Sequence, residues 1–192
     1  MIESKKLKVI SLFTGIGGMD MGFDGEVIVH QDSILNREFI KEKYHIDDWV
    51  VLKKNNFKSV FQNDILKGAK EVFGFNGDNS NYNTNSIYDL ILENYKFPDA
   101  DVVIGGFPCQ DFSHSGKRKG FKSDKGHDLK ETVDPKKGNS RGTLYKSFVE
   151  VVNRVKPKIF IAENVYGLLT MKSNPIKQII HDFTEIGYDV NY

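Results

Sequence analysis

Leu7-Lys8-Val9-Ile10-Ser11-Leu12-Phe13-Thr14-Gly15-Ile16-Gly17-Gly18 reads as a short buried strand that runs directly into a glycine-rich turn. Its first seven residues suit a strand covered on both faces, because such strands are near-continuous apolar runs. The glycines that follow let the backbone turn tightly and approach a ligand that a Cβ would exclude. Downstream, short apolar runs alternate with amphipathic stretches. Val27-Ile28-Val29-His30 is expected as a second strand, followed by a helix ending near Lys43 or Tyr44, and a third strand should end before Asn63-Asp64-Ile65. Asp101-Val102-Val103-Ile104-Gly105-Gly106 is the fourth and Ile159-Phe160-Ile161-Ala162 the fifth. Helices are expected over Ile87 to Tyr95, over Gly142 to Lys156 (Leu144, Phe148, Val151, Val152 and Val155 at helical spacing) and from Pro175 to Glu185. Tyr188-Asp189-Val190 should begin a further strand, and the run from Asn76 to Ser86 is too rich in Asn for a helix or strand interior.

Strands separated by helices imply βαβ crossovers, hence an α/β fold with a mostly parallel sheet flanked by helices. Ligands of such sheets bind outside the carboxyl ends of the strands. Four conspicuous features fall at strand ends here: the glycine turn, Asp64, Gly106 through Cys109, and Glu163.

Composition narrows the class. The 192 residues fit one domain, and 39% hydrophobic with 12% aromatic residues suffice for a core. No apolar run approaches the ~20 residues of a spanning helix, and the start lacks the apolar region of a signal peptide, so a cytoplasmic protein is expected. The single cysteine, Cys109, excludes an internal disulfide and a multi-cysteine metal site, and the five histidines show no ligand spacing, so no metal is implied. The formal charge of +1 hides an asymmetry: residues 116–141 hold nine Lys/Arg against four Asp/Glu, the rest 18 against 22. A basic segment on a faintly acidic body is either a solvated loop or a phosphate-contacting one.

The turn's spacing is G-x-G-G rather than the G-x-G-x-x-G of dinucleotide sites, which disfavours a nicotinamide dehydrogenase. Asp32, past the second strand, can accept both hydroxyls of a ribose, and Asp64, past the third, can accept the exocyclic amine of an adenine. Either alone reads equally as a cap or turn residue; with the glycine turn they describe an adenosine site. Cys109 follows a strand and two glycines and precedes a basic loop, a setting that favours a nucleophilic thiolate over a buried hydrophobe. Glu163 ends an apolar strand, where an acid is either capping, ion-paired or functional.

Phe13-Thr14-Gly15-Ile16-Gly17-Gly18, Gly106-Phe107-Pro108-Cys109-Gln110 with Phe112-Ser113, Arg141-Gly142-Thr143-Leu144 and Glu163-Asn164-Val165 together resemble the cytosine-C5 DNA methyltransferases, in that family's order, from about Leu7 to Tyr192. The resemblance implies a Rossmann-like S-adenosylmethionine-dependent methyltransferase fold, here cut off before its last strands. It implies that a cytosine flipped out of duplex DNA is attacked at C6 by Cys109, with Glu163 protonating or hydrogen-bonding N3 and Asn164 positioning the Pro-Cys loop. Phe13, Gly15, Ile16, Gly17 and Gly18 would hold S-adenosylmethionine; Asp32 would take its ribose; Asp64 and Ile65 would border its adenine; Gly106, Pro108 and Leu144 would complete the pocket. The loop from Gln110, including Ser113, Ser115, Lys117 and Arg118, would close over DNA and contact phosphates.

Three features depart from the family pattern. The acid after the second strand is usually a glutamate, whereas this chain reads His30-Gln31-Asp32-Ser33. The loop between Gly120 and Arg141 is longer than usual. Up to Tyr192 there is no Gln-x-Arg-x-Arg segment, no target-recognition domain and no C-terminal segment to complete the donor site. Residues 1–192 are therefore expected to be the methyl-donor-binding and catalytic portion of a restriction-modification or orphan bacterial enzyme. They would be a fragment or one subunit beside a second polypeptide, and inactive alone. A tRNA cytosine methyltransferase and a non-catalytic partner subunit are the competing readings.

Overall fold

The computed structural model describes residues 5–76, 78–108, 144–171 and 174–192. Five parallel strands form the central sheet: β1 (Leu7–Leu12), β5 (Phe57–Asn63), β6 (Tyr82–Asn83), β7 (Val102–Gly105) and β8 (Ile159–Ala162), in the order β6-β5-β1-β7-β8. Helices α1 (Gly18–Asp24), α2 (Lys67–Asn76), α3 (Ile87–Leu92), α4 (Leu144–Val155), α5 (Gly167–Thr170) and α6 (Pro175–Glu185) complete the layers. The mostly parallel sheet expected from the strand–helix alternation is present, with the Rossmann-like arrangement that the family resemblance implies.

Alternation along β1 assigns its two faces. Ile10 and Leu12, both fully buried, join Val103, Phe61, Tyr145, Phe148, Val151 and Phe183 in the main core, which α3, α4 and α6 cover. Val9 points the other way and packs with Val102, Ile104, Met19 and Phe23 under α1. Phe160 stacks on Phe183 at 4.1 Å, tying β8 to α6. Each buried aromatic or aliphatic side chain of this kind contributes roughly 1.5–3 kcal/mol relative to exposure.

Several local expectations are corrected. The second strand exists as β2 (Ile28–His30), but it pairs antiparallel with β4 (Trp49–Leu52) in a separate sheet of order β2-β4-β3, where β3 is Ile40–Lys43. The helix expected up to Lys43 or Tyr44 is replaced by two 3-10 turns, Gln31–Ser33 and Arg37–Phe39, and by β3. Side chains divert the backbone there: His30 Nδ1 accepts from Asp32 N and Asn36 Oδ1 accepts from Glu38 N, local bonds that compete with helix. The Asn-rich run contributes the end of α2 and the edge strand β6. Asn63 Nδ2 donates to the carbonyls of Asn83 and Asn85 and so holds that edge. Tyr188-Asp189-Val190 forms no strand. Gly187 turns the chain at φ 95°, and Tyr188 instead donates its hydroxyl to Pro157 O and lays its ring against Phe160.

Asp20 in α1 is almost fully buried. Asn63 N–H donates to Thr14 Oγ1, the Thr14 hydroxyl to Ser11 Oγ, and the Ser11 hydroxyl to Asp20 Oδ2 at 2.7 Å. The chain of bonds ties β5, the glycine turn, β1 and α1 together. Burial nevertheless raises the Asp20 carboxyl from its usual 3.8 to about 6, against the opposing bonds from Ser11 and Ser59. Between those two values the folded chain keeps a proton that the unfolded chain has released, so stability falls as pH rises through that window and the loss is complete above it. Asp20→Asn should abolish most of this loss, about 2–3 kcal/mol, as read by urea unfolding below and above the window. An unchanged pH dependence would show that the Asp20 charge carries no such cost.

Candidate active site

Register aligns the strand ends. Leu12 pairs with Asn63 of β5 and with Gly105 of β7, and Gly105 pairs with Ala162 of β8. The residues that follow those partners are Phe13, Asp64, Gly106 and Glu163, so all four leave the sheet from one row. In parallel α/β sheets ligands bind outside the carboxyl ends of the strands, which makes this row the candidate site.

The glycine turn is held in an unusual path. Phe13 and Gly15 both have φ near 54° and Gly17 has φ 88°. For Phe13 this is a strained left-handed conformation, of a kind that clusters at functional sites. Thr14 N–H donates to Asn63 O at 3.0 Å, which pulls the turn onto the end of β5. Gly15 N–H donates to Asp64 Oδ2 at 3.0 Å, while Asp64 Oδ1 accepts from Leu66 N. The Gly15 carbonyl accepts the Tyr82 hydroxyl at 2.8 Å. A Cβ on Gly15 or Gly18 would meet no atom within 4 Å, so open space lies over the turn at both. Beside it, Ile16 and Ile65 expose 54% and 38% of their surface. Two large apolar side chains left uncovered around a polar turn are what a flat ring would cover.

Across β1, Phe107 is buried and Pro108 partly buried after β7. Glu163 N–H donates to Gly105 O at 2.9 Å, and its carboxylate folds back over Gly106: an added Cβ there would lie 2.8 Å from Glu163 Oε2. Asn164 Nδ2 donates to Phe107 O at 2.9 Å and Asn164 Oδ1 accepts from Val165 N. The acid and the Phe107-Pro108 segment are thus held together through β7 and β8. Leu144 is buried at the start of α4, in the same core as Phe107.

Asp32 is not brought to this edge. It lies in the 3-10 turn after β2, with 84% of its side chain exposed and His30 Nδ1 3.6 Å away. The physical reason is the departure of β2 into the second sheet, which makes β5 the neighbour of β1 and leaves Asp64 as the carboxylate beside the glycine turn. Cys109, Gln110, Ser113, Ser115, Lys117 and Arg118, like the loop between Gly120 and Arg141, lie outside the described residues. Among the described residues no three His, Cys, Asp or Glu side chains gather as metal ligands do, and no helix is long and apolar enough to cross a membrane. Sequence reasoning missed Asn63 and Tyr82. Asn63 ends β5 and carries no signal of its own, and Tyr82 lies in a run whose Asn content masks its role, the one cue being a lone aromatic at 82.

The adjacent glycines at the end of β7, Gly105 in the strand and Gly106 just past it, separate structure from site. A Cβ on Gly105 would fall 2.3 Å from the backbone oxygen of Leu12, so Gly105→Ala should destabilise the chain by about 1–3 kcal/mol. Gly106→Ala should instead shift only the Glu163 carboxylate, changing its side-chain carboxyl NMR signal at an unchanged melting temperature. Equal destabilisation by both would contradict that division.

Comparison with known proteins agrees with the geometry. The model of the family described as C-5 cytosine-specific DNA methylase matches residues 49–192. The Type II methyltransferase M.NgoFVII of Neisseria gonorrhoeae is 36% identical across 98% of this chain and 38% of its own length. M.BspRI of Lysinibacillus sphaericus is 33% identical across 98% of the chain and 40% of its own. The chain thus spans about two-fifths of the length of the curated relatives it matches. Among solved structures, DNMT2 of Spodoptera frugiperda shares the fold over 94% of this chain and 41% of its own, with TM-score 0.52 and 18% identity. With the family's pattern running through the greater part of its length, the chain belongs to the C-5 cytosine-specific DNA methylases.

Proposed function

We propose that these residues are the donor-binding and catalytic portion of an enzyme that methylates C5 of a cytosine turned out of duplex DNA. The observation that carries the reading is the tether across β7 and β8. Glu163 folds over Gly106 while Asn164 holds the Phe107 carbonyl, so an acid stands beside the segment that leads into Pro108 and Cys109.

The glycine turn fits S-adenosylmethionine by its open space over Gly15 and Gly18 and its uncovered Ile16 and Ile65. Phe13, Gly15, Ile16, Gly17 and Gly18 would hold the donor, with Gly106 and Pro108 at its reactive end. Asp64, which follows the strand beside β1, and Ile65 would border its adenine, as expected, while Asp32 lies away from this edge. Bound there, S-adenosylmethionine supplies an electrophilic methyl group.

The chain's own groups prepare the base. Cytosine is a poor nucleophile at C5 because its ring electrons are delocalised. Addition of the Cys109 thiolate to C6 forms a C–S bond and pushes the displaced electron pair towards C5 and N3. Glu163, donating to N3, stabilises that charge as it develops. After methylation, loss of the C5 proton re-forms the C5–C6 double bond and expels the thiolate, so the cysteine is regenerated. Asn164 keeps the cysteine segment at a fixed distance from the acid. Ser113, Ser115, Lys117 and Arg118, with Gln110, would contact the DNA, most of them through phosphates that orient the duplex without reading its sequence.

The test uses the native polypeptide that carries these residues, with any second polypeptide that completes it, and methyl-labelled S-adenosylmethionine. Label should enter duplex DNA at cytosine C5. Cys109→Ser should abolish transfer, and Glu163→Gln should slow it by about 10²–10⁴-fold. Label entering tRNA and not DNA would overturn the substrate, and full activity of Cys109→Ser would make this chain a non-catalytic partner.

A further inference from the structure

The Asn-rich segment reaches back into the donor turn. Tyr82, 3% exposed in the edge strand β6, projects its hydroxyl to Gly15 O at 2.8 Å, 67 residues away in sequence. Burial, with the Asp64 and Asp20 carboxylates nearby, holds the phenol proton on well above its usual range, so this oxygen is a donor.

Tyr82 is itself firmly seated. Its ring meets Phe73 edge-on at 5.3 Å, and the Phe73 ring covers Gly17, where a Cβ would fall 2.5 Å from it. Tyr82 N–H donates to Asn79 O, Lys70 Nζ donates to Tyr82 O, and Asn79 Nδ2 donates to Lys70 O. The segment therefore winds over the end of α2 and presents one phenol to the turn.

Both backbone groups of Gly15 are then occupied by side chains of neighbouring elements, the N–H by Asp64 and the C=O by Tyr82. A glycine at φ 54° has few steric barriers of its own, so those two bonds decide its orientation. In a trans peptide the C=O and the next N–H point in opposite directions. Fixing Gly15 O towards Tyr82 therefore directs the Ile16 N–H away from β6.

We infer that Tyr82 is a positioning residue for the methyl-donor site, its hydroxyl setting the Gly15–Ile16 peptide in the orientation that donor binding uses. The inference rests on the donor reading of the glycine turn above. It gives the Asn-rich segment a function that its composition hides: it is a strap that carries a phenol to the turn.

Tyr82→Phe removes the hydroxyl and keeps the ring on Phe73. The native polypeptide is titrated with S-adenosylhomocysteine by calorimetry and followed by amide hydrogen exchange, alongside its affinity for duplex DNA. Tyr82→Phe should weaken S-adenosylhomocysteine about fivefold, the size of one neutral hydrogen bond. It should also speed exchange at Gly15 to Gly18, lower the melting temperature by only about 2–4 °C, and leave DNA affinity unchanged. Unaltered ligand affinity in a wild type that binds would overturn the inference alone. Parallel losses in melting temperature and in both affinities would make Tyr82 a packing residue, which also overturns it. A wild type that binds no S-adenosylhomocysteine would overturn the donor reading and the inference with it.

Discussion

The structure depends on one register. Because Leu12 pairs with both Asn63 and Gly105, and Gly105 with Ala162, four parallel strands end in a single row. Phe13, Asp64, Gly106 and Glu163 leave the sheet from that row, so groups separated by up to 150 positions in the chain share one edge. A slip of one residue in any pairing would turn the strand's side chains to the opposite face. Gly105 enforces the level at its centre, since the Leu12 carbonyl lies where a Cβ would be.

Two kinds of interaction support that edge. Apolar packing of Ile10, Leu12, Val103, Phe148 and Phe183 supplies most of the driving force for the sheet and its α4–α6 layer. A line of polar bonds from Asn63 through Thr14 and Ser11 to Asp20 supplies direction instead. It locks the glycine turn to β5 and α1 at the cost of a buried carboxyl whose charge is disfavoured. Spending stability to hold a turn in a strained path is a familiar compromise at sites that must be rigid before the ligand arrives.

Where local chemistry and tertiary contact agreed, the fold was legible. The strand at 7–12, the strand at 102–105 and the helix at Pro175–Glu185 follow from apolar runs, glycines and a proline at the helix start. Legibility failed between His30 and Trp49. There Ile34, Leu35, Phe39 and Ile40 suit a helix or an extended path equally, and the decision came from side-chain caps and from pairing with β4. The same stretch decides where Asp32 lies: with β2 in the second sheet, Asp32 sits away from the main sheet's edge, and Asp64 is the carboxylate that follows the strand beside β1. The Glu163–Gly106 and Asn164–Phe107 contacts join residues that motif order already grouped. The Tyr82–Gly15 bond joins residues that no local pattern links, and only topology reveals it.

The central claim is that the edge holding Glu163 delivers a cysteine to C6 of a cytosine. It is tested most directly by the intact mass of the native polypeptide after incubation with S-adenosylmethionine and a duplex carrying 5-fluorocytosine. Fluorine at C5 cannot leave as a proton, so elimination of the thiolate stalls after methylation. The account predicts a covalent complex of one polypeptide with one duplex, lost in Cys109→Ser. Methylation of ordinary DNA with no covalent complex on the fluorinated duplex would contradict it.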